Sequence, residues 1–268
     1  MRILISLLFI ISTSTYAQEI SLGVVPQESP SKLFSVWKPI AQYLSRATGE
    51  KIVFKTERSI PLFEKSLLQG SYDFAYVNPA QFIQINRKMK YSADVRARKN
   101  IVGILVGRES KDIQVLLKEE PRFLFPAPNA FASSVLIKYE LSKKFGYKFD
   151  NPKKIGYIHS HDSVYKGVMR GLADLGGGIE RTLDTFFAKH EKELNGKKEH
   201  LSIVYRTKAY PSHPFSFHPR VDSKVKEKII TALINMPENL KESLKVKEFI
   251  LINNQEYKSV ERLMQTIK

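Results

Sequence analysis

The stretch "FPAPNAFASSVL", Phe125 to Leu136, is the first place where this chain could do chemistry. Two prolines close a short apolar run, Asn129 follows, and a row rich in small residues opens a predicted helix. First-turn amides lack partners inside a helix, and the helix dipole is positive at that end, so such a start can cradle an anion. Alternatively, Asn129 is only a helix cap and the small residues permit close packing. His161, near a second predicted helix start after Ser160, could donate a hydrogen bond to an oxyanion, more strongly when protonated. A capping or structural hydrogen bond is its other reading. His159 and His161 form an H-x-H pair, but with no cysteine and no third ligand nearby no metal is expected.

Arg181 follows the glycine run of "GLADLGGGIE", where three successive glycines let backbone approach a ligand or a neighbouring strand closely. Its guanidinium suits a carboxylate or phosphate held by two parallel bonds, or else a surface ion pair. Tyr76 sits at the end of a predicted strand, as a hydroxyl donor or as a core aromatic. Asn78 reads as the cap of the next helix, with Pro79 at its first position. In "PSHPFSFHP", Ser212 and His213 could face a cleft.

The elements that must position these groups alternate along the chain. Strands are predicted at 20–25, 51–56, 72–77, 101–107, 122–125, 153–158, 201–206 and 214–218. Between them come helical patterns, the clearest being Leu33, Val36, Trp37, Ile40, Tyr43 and Leu44, with Pro39 as a kink or a new first turn. Further helices are expected over 62–68, from Asn78, from the quoted stretch to about Phe145, over 161–170 and near 182–189, and the C-terminal remainder reads as helical. "GKK" at 196–198 reads as an exposed loop. Repeated strand–helix units predict an α/β fold with ligands at the carboxyl ends of strands.

Arg2, the apolar run Ile3 to Ile11 and Thr15-Tyr16-Ala17 predict a secretory signal over residues 1–17, with the mature chain starting near Gln18. The apolar run is too short for a membrane span, which needs about 20 residues, so a soluble exported protein is expected. The chain has no cysteine, which excludes disulfides, thiolate sites and a lipid-anchored cysteine. Export without cysteine suits a bacterial periplasm. The formal charge of +16 invites a nucleic-acid reading, but the basic residues are scattered and no recognition motif accompanies them. No nucleic-acid partner is expected, and the positive field would help attract anions.

Taken in order, "GVVPQ", "WKPIAQYLSRATG", "GSYDFAYVNPAQF", "HSHDSVYKGVMRGLADLGGG" and "AYPSHPFSFHPRVDSKVKEKIITALINM" resemble blocks of the phosphate, phosphite and phosphonate substrate-binding family of ABC transporters. The resemblance covers nearly the whole mature chain. It implies a type II periplasmic binding protein fold, with two α/β lobes joined by two crossing strands and a ligand cleft between them. Lobe 1 would comprise 18–105 and 207–268, and lobe 2 would comprise 106–206. The quoted opening stretch aligns with the family's phosphonate loop, where Ser-Thr-Ser normally opens the helix. Here that triplet reads Ala130-Phe131-Ala132, so the hydroxyls are gone and Ser133 comes one position late. The resemblance places Tyr76, the loop residues Asn129, Ala130, Phe131, Ala132 and Ser133, and His161 at the ligand; Arg181, chosen for its own chemistry, is the first candidate to compensate for the missing hydroxyls. Asp174 matches an acidic position of the family's glycine–aspartate block.

The implied function is capture of a small oxyanion, phosphonate- or phosphate-like, by a monomeric periplasmic protein that delivers it to an ABC permease. A sensing protein that presents its closed form to a membrane receptor kinase is the alternative. A hydrolase is not expected: G-x-S-x-G and H-E-x-x-H are absent, as is a dense Asp/His set. No cofactor is expected either.

Overall fold

The computed structural model describes residues 19–28, 30–158, 160–190 and 201–266. The predicted signal peptide, His159 and the 196–198 loop lie outside these. In chain order the first elements are β1 (Ile20–Val24), α1 (Pro30–Thr48), β2 (Ile52–Lys55), α2 (Ile60–Leu68), β3 (Phe74–Tyr76), α3 (Pro79–Met89) and β4 (Ser92–Ala97). Then come β5 (Gly103–Gly107), α4 (Ile113–Lys118), β6 (Phe123–Phe125), a π-helical turn (Phe131–Leu136), α5 (Ile137–Phe145), β7 (Ile155–Tyr157), α6 (His161–Met169), β8 (Leu175–Ile179) and α7 (Glu180–His190). The chain ends with β9 (Ser202–Arg206), β10 (Pro214–Phe217), α8 (Ser223–Ile234), α9 (Glu238–Ser243), β11 (Phe249–Leu251) and α10 (Lys258–Thr266).

Two sheets result, ordered β11-β4-β10-β3-β1-β2 and β7-β6-β8-β5-β9. Each is built on three parallel strands, β2, β1 and β3 in one and β7, β6 and β8 in the other, extended by antiparallel neighbours. Each sheet with its helices forms a lobe. The expected lobe boundary at 105 falls inside β5, which belongs wholly to the second sheet.

The helices form where the apolar spacing demands. In α1, Leu33, Trp37, Ile40, Ala41 and Leu44 recur every three or four residues and bury one face on the first sheet. The helix runs on through Pro39. Asn78 caps α3 as expected: its Oδ1 accepts from the Gln81 amide at 2.8 Å while Gln81 Oε1 accepts from the Asn78 amide at 3.0 Å.

The chain crosses between lobes twice, and the crossings pair: Ile101 and Tyr210 exchange backbone bonds of 2.8 and 2.9 Å. Beside them the Thr207 hydroxyl accepts from the Gly103 amide at 2.9 Å. Glu140, buried on α5, accepts from the Lys208 amide and the Tyr205 hydroxyl, tying that helix to the return crossing.

Three strands were not evident from periodicity. β4 lies within a charged stretch, β11 interrupts the C-terminal remainder expected to be helical and pairs with β4, and β8 is "LGGGI", read above as a glycine run preceding a helix. β8 is the central strand of its sheet, and its glycines explain the π-helical turn above it. A Cβ on Gly177 would run into the Ser133 carbonyl and the Phe125 ring, and one on Gly103 into the Ala132 carbonyl. The turn therefore lies flush on β5 and β8. Gly177→Ala should lower stability by about 2 kcal/mol through this overpacking, read as a lower urea midpoint with an unchanged m-value; an unaltered midpoint would show the turn free to lift.

Candidate ligand-binding site

The sequence-predicted residues come together at the carboxyl ends of the parallel strands, where the two lobes meet. Tyr76 ends β3, Ser133 lies in the turn after β6, His161 begins α6 after β7, and Arg181 begins α7 after β8.

The quoted stretch begins as a π-helical turn that continues into α5, a single helical segment from 131 to 145. The Ser134 and Val135 amides both donate to the Ala130 carbonyl, at 2.9 and 3.1 Å. The Ala130 amide is taken by the Ala127 carbonyl at 3.3 Å, so Ala130 lends no free amide. Among the described residues, no acceptor meets the amides of Phe131, Ala132 and Ser133. Those three carry the unpaired charge of this helix end.

Asn129 is not the cap. Ala130 holds the cap position without a side-chain bond, while the Asn129 amide group donates to Glu64 Oε1 at 3.0 Å, from one lobe to the other. Gln81 Nε2 donates to the same oxygen at 3.1 Å. Phe131 also differs from expectation in its side chain. The ring is buried in an apolar cluster that includes Val77, Ala80 and Ile83 from the first lobe and Leu136 from the second, with its plane perpendicular to that of Tyr210.

His161 Nε2 lies 3.1 Å from Ser133 Oγ, so the imidazole and the one retained hydroxyl form a pair beside the free amides. Across the seam Tyr76 stacks on His213, with centroids 5.4 Å apart, and packs against Trp37 at 5.0 Å. His213 Nε2 lies 3.0 Å from Gln27 Nε2. Tyr76, His161 and His213 each keep a partly exposed edge but are otherwise enclosed by protein. Burial pushes the Tyr76 hydroxyl up to about 12, and holds His161 down at about 4 and His213 at about 3. In all three the second cause is the nearby charge of Arg181, which opposes the upward shift of the tyrosine and reinforces the downward shift of the histidines.

Arg181 makes no ion pair with any described carboxylate. One nitrogen donates to the Leu244 carbonyl of the first lobe at 3.2 Å, and its other donors have no described partner. A surface salt bridge is thus not its role. Asp174 is structural: it accepts from the Arg122 amide and guanidinium and lies near Arg108.

Reading the sequence alone omits Gln27 and Glu64 and leaves His213 weakly placed. Gln27 follows β1 at the same sheet edge as Tyr76, a positional signal that was available. Glu64 gave none, because only folding brings it to Asn129. The described residues hold no group of three or more His, Asp or Glu side chains that could bind a metal, and no helix among them is long and apolar enough to cross a membrane.

Two α/β lobes joined by paired crossings, with strand ends converging on the seam, define a bilobal binding protein. Residues 22–257 match the family described as ABC transporter, phosphonate, periplasmic substrate-binding protein, and the chain belongs to that family. Its fold is similar to that of PhnD1 from Prochlorococcus marinus in complex with methylphosphonate, at 15% identity and a TM-score of 0.81, covering 93% of this chain and 98% of that one. A binding protein component of a phosphonate ABC transporter from Pseudomonas aeruginosa aligns at 13% identity and a TM-score of 0.76, covering 92% and 85%. The periplasmic VFT2 domain of Bordetella pertussis BvgS is a more distant likeness, at 14% identity and a TM-score of 0.54 over 85% of this chain and 92% of that one. No curated protein sequence matches.

Proposed function

We propose that the protein captures a small oxyanion, phosphonate-like in size and geometry, between its lobes in the periplasm and hands it as the closed form to an ABC permease. The observation that carries this reading is Arg181, a guanidinium without a carboxylate partner whose field reaches Tyr76 and His213 of one lobe and His161 of the other. His161 in turn contacts Ser133, whose amide is one of the three left free. In the proposed complex the amides of Phe131, Ala132 and Ser133 and the Ser133 hydroxyl hold the anionic head. His161 and Arg181 bond its remaining oxygens, and Tyr76 with His213 covers it from the opposite lobe. Asn129 acts through its bond to Glu64, as a lobe-to-lobe tie. Ligand contacts from both lobes favour the closed arrangement over the open one.

The family is one of substrate-binding transport proteins, which favours a permease partner over a sensor kinase. The test is a thermal-shift and calorimetry screen against phosphate, phosphite, methylphosphonate, methanesulfonate and acetate. A true ligand at a hundred times its dissociation constant should add about 2.7 kcal/mol of stability. Ser133→Ala should then weaken binding by about 1 kcal/mol, the worth of one hydroxyl bond. Silence across the panel would rule out small oxyanions as the cargo.

A further inference from the structure

The seam carries few charges, and their count limits what can bind. We infer that the cleft selects an oxyanion bearing a single negative charge, with Arg181 as the counter-charge beside the rings and two neutral imidazoles as hydrogen-bond partners. This inference rests on the oxyanion-binding reading above and adds the charge state of the ligand.

His213 Nε2 lies 3.0 Å from Gln27 Nε2, so its described partner is an uncharged carboxamide. His161 Nε2 is paired with an uncharged hydroxyl, that of Ser133. No carboxylate is described within hydrogen-bond reach of either ring to hold it protonated. Arg181 is the one formal charge acting on Tyr76, His161 and His213 alike.

Of the other charged groups on the surrounding elements, Asp162 and Glu180 are paired, Lys245 donates to the Thr185 hydroxyl away from the rings, and Asp184 on α7 adds a further negative charge. Asp162 on α6 faces Lys166, Lys189 and His190, and Glu180 on α7 pairs with Arg206. Tyr165 on α6, whose ring lies 6.4 Å from that of His161, shares a bond with the Thr182 hydroxyl and stays protonated, its hydroxyl pushed up to about 12 by burial. On α2, Glu64 brings a negative charge to Asn129, two residues before the first free amide, which further disfavours a doubly charged head. One cation and uncharged donors balance one negative charge. A second would enter a low-dielectric seam without a counter-ion.

The test is calorimetry on the mature protein from pH 6 to 9 with methylphosphonate, whose second proton leaves near neutrality, and with methanesulfonate, which is singly charged throughout. No cleft side chain titrates in that window, since the histidines lie below it and Tyr76 above it. Above the second ionisation of the phosphonate, its association constant should fall about tenfold per pH unit, while that of the sulfonate stays level. The same slope should persist in His161→Gln and His213→Gln, whatever their overall affinity, because the retained proton sits on the ligand. Phosphonate binding that holds steady or strengthens as the dianion forms would overturn the inference, as would loss of the slope in either variant. A sulfonate that fails to bind while methylphosphonate succeeds also overturns it, since the proton is then needed as a donor and not for its charge. If neither anion binds at any pH, the oxyanion-binding reading itself fails.

Discussion

Replacing Arg181 with methionine is expected to weaken oxyanion binding by about 3 kcal/mol, roughly 150-fold. Methionine keeps much of the side-chain length and removes the charge. The expected loss is large because the guanidinium has no carboxylate to fall back on: its only described bond is to the Leu244 carbonyl. In the variant a bound anion would sit between two rings with depressed proton affinity and no fixed positive charge beside it. Arg181 also ties the lobes through Leu244, so a weaker closed state could mimic a lost ligand contact. Lys245 separates the two effects. Its ammonium donates to the Thr185 hydroxyl at 2.8 Å, another lobe-to-lobe bond, and it is not among the charges acting on Tyr76, His161 or His213. Lys245→Met should therefore cost only about 0.5–1 kcal/mol, and Arg181→Lys should recover part of the binding by restoring charge without the planar fork. Equal losses in Arg181→Met and Lys245→Met would reduce Arg181 to a tie between lobes.

How far the residues disclosed this arrangement depends on the range of the forces concerned. Local forces leave local signals. The caps at Asn78 and Ser160, the apolar stripe of α1 and the β-branched run of β5 depend on neighbours a few positions away, and they stand where the sequence puts them. β8 escaped because glycine is a poor strand former. What places it at the centre of a sheet is the π-helical turn above it, which tolerates no side chain at Gly177. The site was half legible for the same reason. Arg181, His161 and the helix start follow strand ends in order, so an α/β reading brings them to one edge. Their partners are remote: Glu64 lies 65 positions from Asn129, and Gln27 lies 186 from His213.

The Ala-Phe-Ala triplet shows a further limit. Substituting for hydroxyls, it suggested a poorer anion cradle. The amides of Phe131, Ala132 and the following Ser133 nevertheless remain free, and the aromatic ring serves a different purpose, burying apolar surface shared by both lobes. Burial of this kind favours closure by the hydrophobic effect, which needs no hydroxyl and no ligand.

Acidification opposes that closure. Lowering the pH from 7 to 5 without ligand is expected to open the lobes, because the closed seam holds His161 at about 4 and His213 at about 3 against an ordinary value of 6.5. A form whose rings face water takes up protons as the pH falls below 6.5, while the closed form does not until far lower. Between 6.5 and about 4 the closed form therefore binds fewer protons, and its advantage, complete above 6.5, declines as acid is added. Each histidine can shift the open-to-closed ratio by up to about tenfold per pH unit, so the two together reach about a thousandfold at pH 5 as an upper limit. The residual solvent contact of each ring reduces that figure. Small-angle scattering should show a larger radius of gyration at pH 5 with unchanged far-UV circular dichroism, which separates opening from unfolding. A variant with both histidines changed to glutamine should keep one radius throughout. Bound oxyanion should reverse the wild-type expansion, since its contacts to both lobes favour the closed form. A wild-type radius that does not change between pH 7 and 5 would mean that the histidines open to water, or stay neutral, without help from lobe movement.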